Sequence, residues 1–441
     1  MVDFCKVIYN YGQLNVLPMF PDPPHFEKSL PTIFPDKTFG SEGIVTTQIG
    51  DSSDAHCALL QSDGKIVVAG GTATRQDNGT FRNDGFVLAR YMPNGDLDSA
   101  FGQSGIVVTG VGAFQNGARA ITIQIESKIV AVGTSRTDRS GCFTLARYDL
   151  DGSLDVDFGQ NGVVITRVGD AAEAKAIVIQ PDGKIIVAGT SCGDRSSPKS
   201  TYHFALARYT DRGELDDTFG SGGIVITAFA GHSDFANAVA LQSDGGIVSA
   251  GACETGHGWG FALARYNSHG TLDASFGQSG KVMLDWGIGG ENWIAALGLQ
   301  SDGKLVAVGR FHNGTSYIFA LARFNGDGQL DRSFGDDGTV TASIGNTGMA
   351  YANTLVIQSD GKLVCGGYAD GHFALTRHNT DGTLDATFGR DGLGITDFGS
   401  GNGIQALLLQ ADGALVAVGE ANTEPGNVFA IARYPTTHAD T

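Results

Sequence analysis

The chain has 441 residues, 65 of them glycine, and a formal charge of −18 at pH 7. With 41% hydrophobic and 17% charged residues it can bury a large core, which argues against disorder; the glycines show no Gly-X-Y period, which excludes collagen. The acidic balance argues against a nucleic-acid backbone as partner, and no apolar run approaches the roughly 18 residues of a membrane span.

Residues 1–35 come first and hold six of the eleven prolines, at 18, 21, 23, 24, 31 and 35. Pro-rich composition predicts an extended arm rather than a second core. Val7-Ile8-Tyr9 is a candidate strand within it. The segment Met1-Val2-Asp3-Phe4-Cys5-Lys6 lacks the basic and apolar regions of a Sec signal, so a cytoplasmic site or a non-Sec export route is expected.

From residue 36 to about 434 the chain repeats itself seven times. Phe-Gly pairs begin at Phe39, Phe101, Phe158, Phe219, Phe276, Phe334 and Phe388. A Gln-x-Asp-Gly marker begins at Gln61, Gln180, Gln242, Gln300, Gln358 and Gln410, with a degraded copy at Gln124-Ile125-Glu126-Ser127. A Leu-Ala-Arg-Tyr type of marker places its arginine at Arg90, Arg147, Arg208, Arg265, Arg323, Arg377 and Arg433.

Each unit carries four strand signals and no sustained helical period. In the third unit these are Gly162 to Thr166, Ala174 to Gln180, Lys184 to Gly189 and Phe204 to Tyr209. Seven such units predict an all-β fold, a seven-bladed β-propeller of four-stranded antiparallel blades. A parallel β-helix fits less well, because Asp-Gly turns imply antiparallel hairpins. The second strand of each unit carries small residues, such as Ala118/Ala120, Ala174/Ala176 and Ala236/Ala238, suited to the crowded axis. The first strand then becomes the outer strand of the preceding blade. Gly43 to Thr47 is therefore expected to close the last blade beside Phe429 to Tyr434.

The unit Asp-Gly-x-Leu-Asp-x-x-Phe-Gly, followed by Gln-x-Asp-Gly-Lys and Phe-x-Leu-Ala-Arg-Tyr, resembles the bacterial delta-60 repeat family. A typical stretch runs from Asp211 to Gly220. The resemblance covers about nine-tenths of the chain and implies a propeller-like fold. It transfers no catalytic motif, and fold alone does not give function.

Residues that recur in every unit read as scaffold. An Asp precedes each Phe-Gly by three positions, at Asp36, Asp98, Asp155, Asp216, Asp273, Asp331 and Asp385. A calcium loop would need further oxygen ligands, but a neighbouring position is Arg212 in one unit and His269 in another. A turn-capping role fits instead. The recurring arginines are expected to form bidentate pairs with these aspartates, tying each blade to its interblade loop.

Function is therefore sought where the units differ. Antiparallel geometry puts the variable connections, strand one to two and strand three to four, on one face of the ring. Five residues before the Gln of strand two, the column reads His56, Arg119, Lys175, Asn237, Ala295, Asn353 and Gln405. It is expected to form a polar ring at the channel mouth. Seven residues before the Gln, it reads Asp54, Gly117, Glu173, Phe235, Trp293, Tyr351 and Gly403. Phe235, Trp293 and Tyr351 are expected to make an aromatic arc for a sugar ring or an apolar side chain. Nearby loops add His257, Trp259, His312, Tyr317 and Tyr202.

No close ligand spacing supports a metal site, and neither a nucleophile elbow nor a phosphate fingerprint is found, so no cofactor is expected. Asn78 and Asn313 head permissive glycosylation triplets. The six cysteines, at 5, 57, 142, 192, 253 and 365, form no spaced framework and read as small buried thiols, which favours a reducing compartment. The leading expectation is a non-enzymatic binding scaffold for a glycan, small molecule or protein partner. The alternative is a hydrolase, lactonase or lyase with His56, His232 or His257 as acid or base. A structural or assembly role is the third reading. The sequence leaves the oligomeric state open.

Overall fold

The computed structural model describes residues 30–435, apart from 78, 113, 125–126, 138–139, 194–199, 230–232, 288, 400, 402 and 425. Val7-Ile8-Tyr9 and Cys5 thus lie outside the described residues. Pro31–Thr441 forms one compact unit. Among the described residues 28 strands make seven four-stranded antiparallel sheets, the blades of a seven-bladed β-propeller. Blade 1 runs from inside to outside as Ser52–Leu60, Ile66–Arg75, Phe81–Tyr91 and Ile106–Thr109. Blade 7 takes Ile404–Leu409, Leu415–Asn422 and Asn427–Tyr434, and its outer strand is Ile44–Thr47 from the start of the chain. Ile44 faces Ala432 and Thr47 faces Phe429, as the repeat phase predicts.

The strand-two segments contact one another around the ring, blade 1 with 2 and on to blade 7 with 1. They are therefore innermost. Observed strands run slightly longer than their sequence signals on the variable face; in blade 3 the inner strand is Ala171–Ile179 and the next is Ile185–Cys192. Each inner strand is interrupted by a β-bulge, as between Ala55 and Cys57, Ala174 and Ala176, Ala236 and Ala238, or Ile404 and Ala406. Beside the bulge the inner strand presses its carbonyl onto the second strand. A Cβ on Gly189 would collide with the carbonyl oxygen of Glu173, and one on Gly309 with that of Trp293. Only glycine permits that approach.

The opposite face holds the interblade clamps. Arg147 Nε donates to Asp155 Oδ2 at 2.7 Å, and its Nη1 donates to the carbonyl of Asp211 in the next blade. The expected bidentate Arg–Asp fork is thus not what forms here: one guanidinium edge serves the carboxylate and the other serves the neighbouring backbone. Lys128 Nζ reaches the same Asp155 oxygen at 2.7 Å. The guanidinium also lies 4.4 Å over the Phe158 ring. Gly159 N donates to the carbonyl of Arg212 at 2.9 Å, and Gly102 N to that of Asp151 at 2.7 Å. The neighbouring position contributes its backbone, which is why its side chain is free to be Asp, Arg or His.

Two blades lack the lysine, and the clamp rearranges there. Gly246 and Ala414 stand in its place. Arg265 and Arg433 then swing onto Asp244 and Asp412 of the Asp-Gly turns, and also onto Gln242 and Gln410, while keeping Asp273 and Asp36. A second contact crosses between blades. Buried Tyr91, Tyr148, Tyr266 and Tyr434 donate their hydroxyls to Thr47, Thr109, Thr227 and Thr396 of the preceding outer strand. Where Phe324 replaces the tyrosine, Leu284 replaces the threonine, so no hydroxyl is stranded.

Blade 6 carries an extra piece of chain. Its outer strand, Leu393–Thr396, pairs in parallel with Pro31–Ile33. Ile33 N donates to the Ile395 carbonyl at 3.0 Å, and Ile395 N donates to that of Pro31 at 2.6 Å. The other outer strands place a valine or its like beneath the Phe-Gly loop, as at Val107, Val164, Val225, Val282 and Val340; blade 6 has Gly394. Ile33 fills the vacated space, and a Cβ on Gly394 would stand 2.8 Å from its Cγ2. Ile33 is 1% and Ile395 3% exposed, whereas the equivalent Val108, Ile165, Ile226 and Met283 are 50%, 44%, 49% and 50% exposed.

Candidate functional site at the channel mouth

The polar column of the inner strands coincides with the bulges. His56, Lys175, Asn237, Ala295, Asn353 and Gln405 each sit at the register shift of their strand, and Arg119 lies beside the double shift of blade 2. A bulged residue has no cross-strand partner, so the second strand does not dictate its side chain. The ring divides by use. Asn237 Nδ2 donates to the Ile294 carbonyl at 2.9 Å, and Asn353 Nδ2 to the Ile404 carbonyl at 2.9 Å. These two asparagines therefore hold neighbouring bulges together. His56, Arg119 and Lys175, on three consecutive blades, lie close enough for both cations to act on the imidazole.

The aromatic side of the mouth spans blades 4 to 6. Phe235 lies 4.9 Å from Trp259 and 6.0 Å from Trp293 between ring centroids. All three rings are half-buried. Arg310 lies 3.3 Å over Trp293 and 4.5 Å from the Tyr317 ring, and Tyr317 continues to His312 at 4.8 Å. Glu291 fixes Arg310 through its carboxylate and through its carbonyl, the latter at 3.1 Å from Nε. Tyr351 stacks on Tyr368 of its own blade at 5.0 Å and 9°. The expected arc thus consists of a Phe235–Trp259–Trp293 cluster and a separate tyrosine pair.

The ionic side spans blades 7 to 3. Glu420 follows the strand-two-facing Gly419 of blade 7 and hydrogen-bonds Asp54 of blade 1. Burial, reinforced by the Asp54 charge and that hydrogen bond, pushes the Glu420 carboxyl far above the usual carboxylate range; Arg119 opposes the shift. Asp54 also accepts from Asn427 Nδ2 at 2.9 Å. Lys175 pairs with Glu173 at 3.0 Å. Burial, together with Arg119 and Lys175, lowers the His56 pKa well below its ordinary value, so the imidazole is neutral at pH 7. The sequence columns missed Glu420, Tyr368 and Arg310. They share one position, directly after the strand-three glycine, and aligning strand three on that glycine would have exposed them.

Other loop histidines serve as struts. His203 Nδ1 meets buried Asp234 at 3.1 Å, and Asp234 also accepts from Phe204 N at 2.7 Å and Phe229 N at 2.9 Å. His257 is exposed and bonds Asp285 at 2.9 Å. Tyr202 opens the outer hairpin of blade 3, and His232 lies outside the described residues. Among the described residues no group of three or more His, Cys, Asp or Glu gathers to hold a metal. The five described cysteines are free thiols.

Solved structures of similar shape share little sequence. A catalytically inactive virginiamycin B lyase from Staphylococcus aureus, solved with quinupristin, is 10% identical over 88% of this chain and 98% of that one, with a TM-score of 0.45. A protein of unknown function from Dyadobacter fermentans is 12% identical over 89% and 97%, with a TM-score of 0.47. Drosophila Plexin A, in complex with Semaphorin 1b, is 10% identical over 91% and 88%, with a TM-score of 0.47. No curated protein matches the chain. The repeats themselves match the family described as Domain of unknown function (DUF5122) beta-propeller, at residues 61–101, 127–158, 180–219, 242–276, 300–334 and 358–388.

Proposed function

We propose that the chain is a binding scaffold whose variable face receives a glycan, small molecule or protein loop at the channel mouth. The delta-60 resemblance supports the scaffold and leaves the ligand to the mouth. The observation that carries the reading is the Phe235–Trp259–Trp293 cluster, three half-buried rings from two blades beside the polar ring. Rings held that way present apolar area at low entropic cost, while bulge residues supply hydrogen bonds. Replacing Phe235, Trp293 and Tyr351 together by Ala is expected to weaken binding at least tenfold, read by glycan and small-ligand arrays followed by calorimetry. The circular dichroism spectrum should be retained. Unchanged affinity of a ligand found in such a screen would overturn the assignment.

One observation favours a second reading, an enzyme at the same mouth. The Glu420–Asp54 pair keeps a proton at neutral pH, as a general acid must. An activity screen on lactones, esters and polysaccharides with the Glu420→Gln variant as control addresses it: turnover lost in that variant supports catalysis, and no turnover in the parent removes it.

A further inference from the structure

The mouth has two unlike halves, and their chemistry narrows the ligand. On blades 4 and 5 it is aromatic, built from Phe235, Trp259 and Trp293. On blades 7 to 3 it is ionic, built from Glu420, Asp54, His56, Arg119 and Lys175. A ligand spanning both must offer a flat apolar face at one end and a polar or charged group at the other.

The sign of that charged group follows from how the ionic half is already satisfied. Lys175 is paired with Glu173 at 3.0 Å. Asp54 is held by Asn427 and by Glu420. Arg119 makes no hydrogen bond or ion pair within hydrogen-bonding distance among the described residues, although it lies near both His56 and Glu420. Glu420 lies near it and holds a proton against Asp54, so the one negative charge left on that pair is engaged by Glu420 and Asn427 and makes no hydrogen bond to the guanidinium. The imidazole beside it is neutral and adds no competing positive charge. A guanidinium left with open donors in a half-buried place is a fork for a carboxylate.

We infer that the ligand is an acidic saccharide, its pyranose face resting on the Phe235–Trp259–Trp293 cluster and its carboxylate meeting Arg119. This rests on the proposed binding role and specifies its ligand class. His56 at the adjacent bulge stays available as a neutral hydrogen-bonding group. A neutral glycan would leave Arg119 without a partner. An apolar peptide would likewise leave Arg119 without one.

The test is calorimetry of the full chain against two probe sets matched in length, oligogalacturonate and its methyl-esterified, uncharged counterpart. The charged set is expected to bind at least tenfold more tightly at low salt. Arg119→Gln should erase that preference by weakening the charged set alone. Trp293→Ala should weaken both sets, and a melting curve for each variant confirms that the ring is intact. Equal binding of charged and uncharged sets, or an Arg119→Gln variant that keeps the preference, overturns this inference while leaving the binding role standing. Binding of neither set, together with tight binding of an apolar peptide, also overturns it. Failure of every glycan, peptide and small-molecule probe would instead remove the binding role beneath it.

Discussion

A single missing lysine changes how a clamp arginine is used. Where Lys304 is present, Arg323 donates to Asp331 at 2.7 Å and reaches the Thr380 carbonyl of the next blade, with both side chains buried. Where Gly246 takes the lysine's place, Arg265 turns toward Asp244, whose side chain is 63% exposed. Removing one partner of a buried ion pair costs about 3 kcal/mol or more, whereas an exposed pair contributes under about 1 kcal/mol. Arg323→Ala is therefore expected to lower stability by about 3 kcal/mol and Arg265→Ala by clearly less, measured by chemical denaturation. Equal losses would show that the clamp arginines act alike. The regularity of these arginines and aspartates was legible in the sequence, because seven copies of one pattern announce a scaffold. The bidentate expectation failed because the neighbouring backbone carbonyl lies about one repeat away, and nothing local reveals it.

The blade was the most legible element. Its turns are written in Asp-Gly and Phe-Gly, its strands in β-branched runs, and its phase in small residues near the axis. The hold of Pro31–Ile33 on blade 6 was not legible. It depends on one glycine, Gly394, standing where other blades have valine, and on an isoleucine far away in sequence. The fit makes a sharp prediction. Gly394→Val fills the gap from within, so melting should change little while Ile33 is expelled. Limited chymotrypsin digestion should then cut rapidly near exposed Phe34. Ile33→Ala leaves the gap empty and should both lower the melting temperature and speed cutting. Protection of the Gly394→Val variant equal to that of the parent would mean that backbone pairing alone holds the segment. Glu420 escaped the sequence reading for a related reason: its partner Asp54 belongs to another blade, and ring closure alone brings the first and last blades together.

At the scale of the molecule the clamps act together, and they make the ring sensitive to acid. For Asp331, burial pulls the carboxyl pKa up, but the Ser333 hydroxyl and N–H, Lys304 and Arg323 pull it further down, well below the usual range. Asp216 and Asp385 are lowered in the same way by their lysines, arginines and turn residues. A carboxyl with a depressed folded-state pKa stabilises fully above its unfolded pKa of about 3.9, and the contribution is lost as pH falls through the folded value. The melting temperature is thus expected to hold between pH 7 and 5 and to drop steeply below about pH 4. Asp331→Asn should start lower at pH 7 and drop less. A flat profile down to pH 2 in the parent would show that these aspartates do not hold the ring together. Ring closure was legible as geometry. The division of the mouth into two halves was not, since it emerges only when the columns of two different strands are placed side by side.

The bulges have a consequence for how such a chain changes over generations. Each unit writes its folding instructions at paired positions and leaves one position, at the rim, that no partner reads. His56, Arg119 and Ala295 occupy equivalent places in different blades without altering the strands around them. Apart from Asn237 and Asn353, which brace the neighbouring bulges, these positions on one circle form a register of independent characters. Most of them can be rewritten one at a time, so selection can revise the chemistry of the mouth while the protein remains folded throughout.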